Sequence, residues 1–135
     1  MTELALPAGT LENALTAFNN GADAVYFGLK DFSARKGAGN FSEEDLSKIR
    51  RYALDKNKKI YITINTLIDD EDLPRLFDAL SLVAKYGCDG VITQDLGVAN
   101  LIKKNFPHLP LHASTQLAVH TISGVKELQS LGFER

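Results

Sequence analysis

The residues best suited to chemistry in this chain are small polar clusters, each at the end of an apolar run. His112 and Ser114 stand two apart in Leu111-His112-Ala113-Ser114-Thr115-Gln116. Gln94-Asp95 closes another run, and Asn65-Thr66 a third. Amides and hydroxyls both donate and accept hydrogen bonds, and an imidazole can take or release a proton near neutral pH. The stretch from Gly28 to Phe41 adds Lys30, Arg35 and Lys36 among Gly28, Gly37 and Gly39. A guanidinium there can grip a carboxylate or phosphate bidentately, and glycines let backbone approach a ligand. Arg35, Asn65, Gln94, Asp95, His112, Ser114 and Gln116 are therefore the candidate substrate-binding residues. The competing reading is a wet rim of surface loops with solvated charges. No residue is assigned a catalytic role.

Other chemistry is disfavoured. His112, Ser114 and Asp95 invite a Ser-His-Asp triad, but strand residues two apart hold their Cβ atoms parallel and roughly 6–7 Å apart, a poor setting for a nucleophile and its base. The elbow pattern G-x-S-x-G is absent. The histidines at 108, 112 and 120 fall on different elements, and Pro107 and Pro110 forbid a helix that would pair the first two. No metal-ligand spacing results. Asp69-Asp70-Glu71-Asp72 is read as a helix-start cluster, with Asp69 or Asp70 as cap, rather than as an ion site. Cys88 opens a strand on the face away from these clusters and is read as a buried structural thiol.

The elements that must position the clusters alternate regularly. Strand-like runs are expected at Glu3–Leu6, Asp23–Phe27, Lys59–Asn65, Asp89–Thr93 and Pro110–Ala113. Helix-period segments follow each one, such as Leu11, Ala14, Leu15 and Phe18, or Leu73, Leu76, Phe77, Leu80, Val83 and Ala84. The last of them carries Val125, Leu128 and Leu131. Thr10 and Ser42 are helix caps, and Ser42 is followed by Glu43-Glu44-Asp45 in the positive first turn. Phe41 precedes that cap as a hydrophobic staple toward Leu46. Gly21, Gly87 and Gly132 each follow a helix-period segment as left-handed terminators, and they mark a weak internal repeat.

This order implies parallel strands with right-handed crossovers. Pro7-Ala8-Gly9-Thr10 stands where a dinucleotide-binding fold carries G-x-G-x-x-G. Ile60, Ile62 and Ile64 alternate with Tyr61, Thr63 and Asn65, which suits a barrel strand with helices outside and a polar interior. The fold class is thus α/β: a partial TIM-type (β/α) barrel of about five βα units, one N-terminal barrel segment over residues 1–135, stopping short of the eight strands of about 250 residues that closure takes. A half-formed core with open edges is expected to self-associate.

Composition agrees with an ordinary globular domain, at 44% apolar and 24% charged residues. A net charge of −2 gives no electrostatic case for nucleic acid, and no apolar run approaches the ~20 residues of a membrane span. A single cysteine fits a reducing compartment, so a cytoplasmic protein is expected.

The strand-end motifs, taken in order, resemble a known family. They are Pro7-Ala8-Gly9, Ala22-Asp23-Ala24-Val25-Tyr26-Phe27-Gly28, Phe32-Ser33-Ala34-Arg35, Ala38-Gly39-Asn40-Phe41, Tyr61-Ile62-Thr63-Ile64-Asn65-Thr66-Leu67, Gln94-Asp95-Leu96-Gly97 and the His112 segment. Together they are similar to the N-terminal part of the collagenase-like peptidase family (peptidase family U thirty-two). Leu6, Leu117 and His120 are mild departures, and the family's downstream cysteine signature is not in these residues. The resemblance implies a peptidase, with a peptide substrate. The alternative it implies is hydroxylation of an RNA base or a ubiquinone precursor, with an iron–sulfur cluster in the full-length parent and no cofactor within this chain. A non-catalytic piece that binds RNA or a partner is the reading from another class.

Overall fold

The computed structural model describes residues 2–33 and 41–135. Arg35, Lys36, Gly37 and Gly39 lie outside them, so the expected anion grip by Arg35 is not located. Five strands, β1 (Ala5–Pro7), β2 (Ala24–Gly28), β3 (Lys59–Ile64), β4 (Gly90–Thr93) and β5 (Leu111–Ala113), form one parallel sheet in chain order. The helices between and after them are α1 (Leu11–Asn19), α2 (Glu43–Asp55), α3 (Leu73–Tyr86), α4 (Leu96–Asn105) and α5 (Ile122–Ser130). Sequential order in a parallel sheet is what repeated right-handed βαβ crossovers give when the sheet curls as a barrel wall. The sheet is not closed. It is a partial (β/α) barrel of five units.

The helix starts follow local chemistry. The Thr10 hydroxyl accepts the Asn13 N–H at 3.1 Å, and Ser42 and Asp45 bond reciprocally as a capping box. The expectation of an Asp69 or Asp70 cap on α3 fails. A 3-10 turn, Asp70–Asp72, leads into the helix, no side chain caps it, and Pro74 sits in the first turn, where its missing N–H costs nothing. Asp72 instead pairs with Arg75.

Strand ends shift by a residue or two. The Leu4 N–H is taken by the Asp23 carboxylate at 2.9 Å, so the ladder begins at Ala5 rather than Glu3. The Asn65 N–H donates to Phe32 O in the preceding loop, which ends β3 at Ile64.

The pleat divides the sheet. Val25, Phe27, Ile60, Ile62, Ile64, Val91 and Leu111 are buried, on the face that packs against Leu46, Ile49, Leu76, Leu80, Val83 and Ile102 of the helices. Phe41 lies over Phe27 with ring centroids 3.9 Å apart, fastening the start of α2 to β2. The other face carries Tyr26, Tyr61, Thr63, Ile92 and His112. One helix departs from expectation. No residue of α5 is fully buried, and Val125 and Ile122 are 58% and 79% exposed. The helix flanks the edge beyond β5, where residues 133–135 run alongside: Leu111 bridges Phe133, and the Ala113 N–H donates to Arg135 O at 2.6 Å.

Candidate functional site

A cavity of ≈ 450 Å³ opens on the inner face, at the C-terminal ends of the strands. This is where (β/α) barrels place their ligands. Strand register builds it in rows. Gly28, Thr63, Ile92 and His112 are successive partners across β2 to β5, and Tyr26 and Tyr61 are paired one rung below. The rim is made by the loops that follow: Ala8, Ser33, Asn65, Ser114, Thr115 and Gln116.

His112 is buried beside Tyr61, ring centroids 4.9 Å apart at an interplanar angle of 60°. Neither of its nitrogens is hydrogen-bonded to a described residue. Burial, and then the positive charge of Arg135, push its proton affinity below the ordinary imidazole value, which favours the neutral form. A neutral imidazole offers one donor and one acceptor.

Beneath it, the Tyr61 hydroxyl donates to Glu3 at 2.7 Å and accepts from Arg135 at 2.9 Å. Burial and the Glu3 carboxylate push Tyr61 up to about 12, so it stays a phenol. Glu3 also pairs with Lys59 and Arg135. Burial works against its charge, yet bonds from Arg135, Lys59 and Tyr61 outweigh it and hold the carboxyl at about 2.

The sequence candidates separate into two groups. Asn65, His112, Ser114 and Gln116 line the cavity together. Gln94 and Asp95 stand beside it. The Gln94 amide donates to Asn65 O at 2.8 Å, bracing the rim from behind. The Asp95 carboxylate accepts the Val98 N–H at 2.9 Å as the cap of α4. Ser114 is occupied with Gln116: its hydroxyl donates to the Gln116 amide oxygen and accepts the Gln116 N–H, both at 3.3 Å. It is not poised against His112, in keeping with the rejection of a triad.

The sequence candidates did not include Tyr26, Ser33, Tyr61 and Thr63, which also line the cavity. Ser33 and Thr63 share a hydroxyl–hydroxyl bond of 3.1 Å. The cue for Tyr61 and Thr63 was present, since they share a strand face with Asn65. Ser33 had no such cue, because a loop decides where it points.

The five-unit barrel geometry now has a counterpart in known sequences: the model of peptidase family U32 matches residues 9–135. The chain belongs to peptidase family U32. Among its U32 relatives, an uncharacterized protease of Methanocaldococcus jannaschii is 41% identical over 88% of this chain and 29% of its own length. The 23S rRNA 5-hydroxycytidine C2501 synthase of Escherichia coli is 36% identical over 97% of this chain and 19% of its own. A collagenase of Porphyromonas gingivalis is 34% identical over 92% and 30%. The chain thus spans about a fifth to a third of the length of these U32 relatives. The solved structure of a U32 peptidase superposes with a TM-score of 0.78 at 15% identity, covering 99% of this chain and 57% of that one, which shows the shared fold.

An iron–sulfur cluster does not fit these residues. Cluster ligation takes about four thiolates, and the one cysteine, Cys88, is buried away from the cavity with its thiol pushed up to about 12 by burial. Among the described residues no group of three His, Cys, Asp or Glu could hold a metal ion. Nor is any described helix long and apolar enough to cross a membrane.

Proposed function

We propose that this chain is the substrate-binding part of a U32-family enzyme and that its cavity receives one unpaired RNA base for hydroxylation. The observation that carries this is the cavity itself: a recess lined by rings, with a hydrogen-bonding rim and, among the described residues, no hydroxyl paired with a base. The rings of Tyr26, Tyr61 and His112 line the cavity, and single bases are bound against such rings with their edges read by polar groups. Asn65, Gln116, Thr63 and neutral His112 can supply that reading. Similarity to a relative named for 5-hydroxycytidine synthesis in rRNA supports the assignment. Hydroxylation chemistry would come from groups elsewhere in a full-length parent. Arg35 would hold the adjoining phosphate.

A second reading keeps peptide hydrolysis, supported by the relatives named protease and collagenase. The two readings part in one experiment. Arg35→Ala and His112→Ala are made in the full-length parent, RNA from cells expressing each is digested and weighed by mass spectrometry, and gelatin cleavage is assayed with the purified proteins. Loss of a hydroxylated base by about tenfold or more in both variants is expected, since each removes a hydrogen-bonding partner of the bound nucleotide. Unmodified RNA in the wild type, together with gelatin cleavage that His112→Ala abolishes, would establish the peptidase reading instead.

A further inference from the structure

Two glycines sit on the inner face of the sheet, and neither is needed for its backbone. Gly28 and Gly90 both lie within β-strands and outside the positive-φ region, in conformations open to any residue. What distinguishes them is what occupies the space a side chain would take. At Gly28 a Cβ would collide with Ser33 and stand 3.1 Å from the Thr63 hydroxyl. At Gly90 a Cβ would lie 2.6 Å from each imidazole nitrogen of His112.

The second case bears on the cavity most directly. In the ladder His112 is paired with Ile92, and Gly90 with Tyr61. The imidazole therefore leans diagonally back from β5 over β4, toward the strand starts, and rests in the notch above Gly90. There its ring meets Tyr61 edge-on. Tyr61 is itself fixed by Glu3 and Arg135 through its hydroxyl. A methyl group at position 90 overlaps the ring, and backbone on one side with Tyr61 on the other leaves the cavity as the direction of escape.

We propose that Gly90 is a positioning residue for the substrate site: the absence of a side chain lets His112 lie against β4 and Tyr61, which keeps the cavity deep enough for a base and sets the imidazole in its wall. This rests on the base-binding reading for the identity of the ligand, whereas the placement of the ring stands on geometry alone. The lowered proton affinity of His112 agrees with a ring held back in the wall rather than out in solvent.

The test uses the chain with labelled histidine, cytidine 5′-monophosphate as probe, and the variants Gly90→Ala, His112→Ala and the double substitution. By NMR, Gly90→Ala is expected to return the His112 Hε1 resonance and its titration midpoint toward those of a solvent-facing histidine, with the other two histidines unmoved. Probe affinity is expected to fall by about tenfold in Gly90→Ala, as for one lost hydrogen-bonding contact. In the His112→Ala background Gly90→Ala is expected to cause no further loss, because residues acting through one contact are not additive. An unchanged His112 resonance in Gly90→Ala, or losses that add in the double variant, would overturn the proposal. Should Gly90→Ala fail to fold, refolding of the double variant supports the steric link and its failure refutes it. If the wild-type chain does not bind the probe at all, the base-binding reading falls, and the histidine resonances still decide the role of Gly90.

Discussion

Glu3 shows how one residue near the chain start controls the cavity floor. Its carboxylate joins Lys59, Tyr61 and Arg135, three groups brought from β3 and from beyond α5. With its folded value at about 2 against an ordinary 4.5, the unfolded chain binds a proton more readily over that interval. The resulting stability is complete above pH 4.5 and is lost as pH falls toward 2. Glu3→Gln is therefore expected to flatten the dependence of the urea midpoint on pH within that window, and an unchanged slope would show that the network contributes nothing to acid stability. His112 illustrates the opposite side of residue-level reading. Its type and strand position were legible from sequence, but its neutrality and its rest against Tyr61 depend on β3 and β4 neighbours that sequence spacing does not specify.

Among the elements, the turn into β4 makes the clearest demand. Gly87 ends α3 at φ 79° and ψ 151°, an extended positive-φ conformation rather than the left-handed helical one expected of a terminator. A Cβ there would make only ordinary contact, 3.6 Å from the Arg50 guanidinium. The penalty for Gly87→Ala is thus backbone strain alone, about 1–3 kcal/mol, readable by chemical denaturation at unchanged m-value. A loss below a few tenths of a kcal/mol would show that the turn relaxes freely. Elements were legible where apolar period and capping residues agreed, as with Thr10 for α1 and Ser42 for α2. They were misjudged where a tertiary bond or an extra local turn intervened. The Asp23 carboxylate on Leu4 trims β1, and a 3-10 turn displaces the acidic cap expected for α3.

At the scale of the molecule, the open sheet leaves two consequences. The free edge of β1 and the exposed apolar side chains of α5, Ile122 and Val125, are surfaces that complete barrels cover. The chain is expected to associate with itself, and its sedimentation coefficient should rise with concentration. Ile122→Glu with Val125→Glu should reduce that rise if α5 is the contact. A concentration-independent monomer in the wild type would remove the expectation. The same open side bounds the candidate cavity, so its depth depends on how the region around Arg135 is covered.

Sequence alone determined the βα order, the parallel sheet, the family resemblance and the fact that polar residues gather at strand ends. Those follow from local quantities: apolar period, caps, glycines after helices and ordered motifs. Only the tertiary structure decided which polar residues form one site. Asn65, His112, Ser114 and Gln116 meet in the cavity, whereas Asp95 is held by α4 and Gln94 braces the rim. The reason is register. A one-rung relation between β4 and β5 lets His112 settle over Gly90 and against Tyr61, and pairing across strands is a property of contacts between segments distant along the chain.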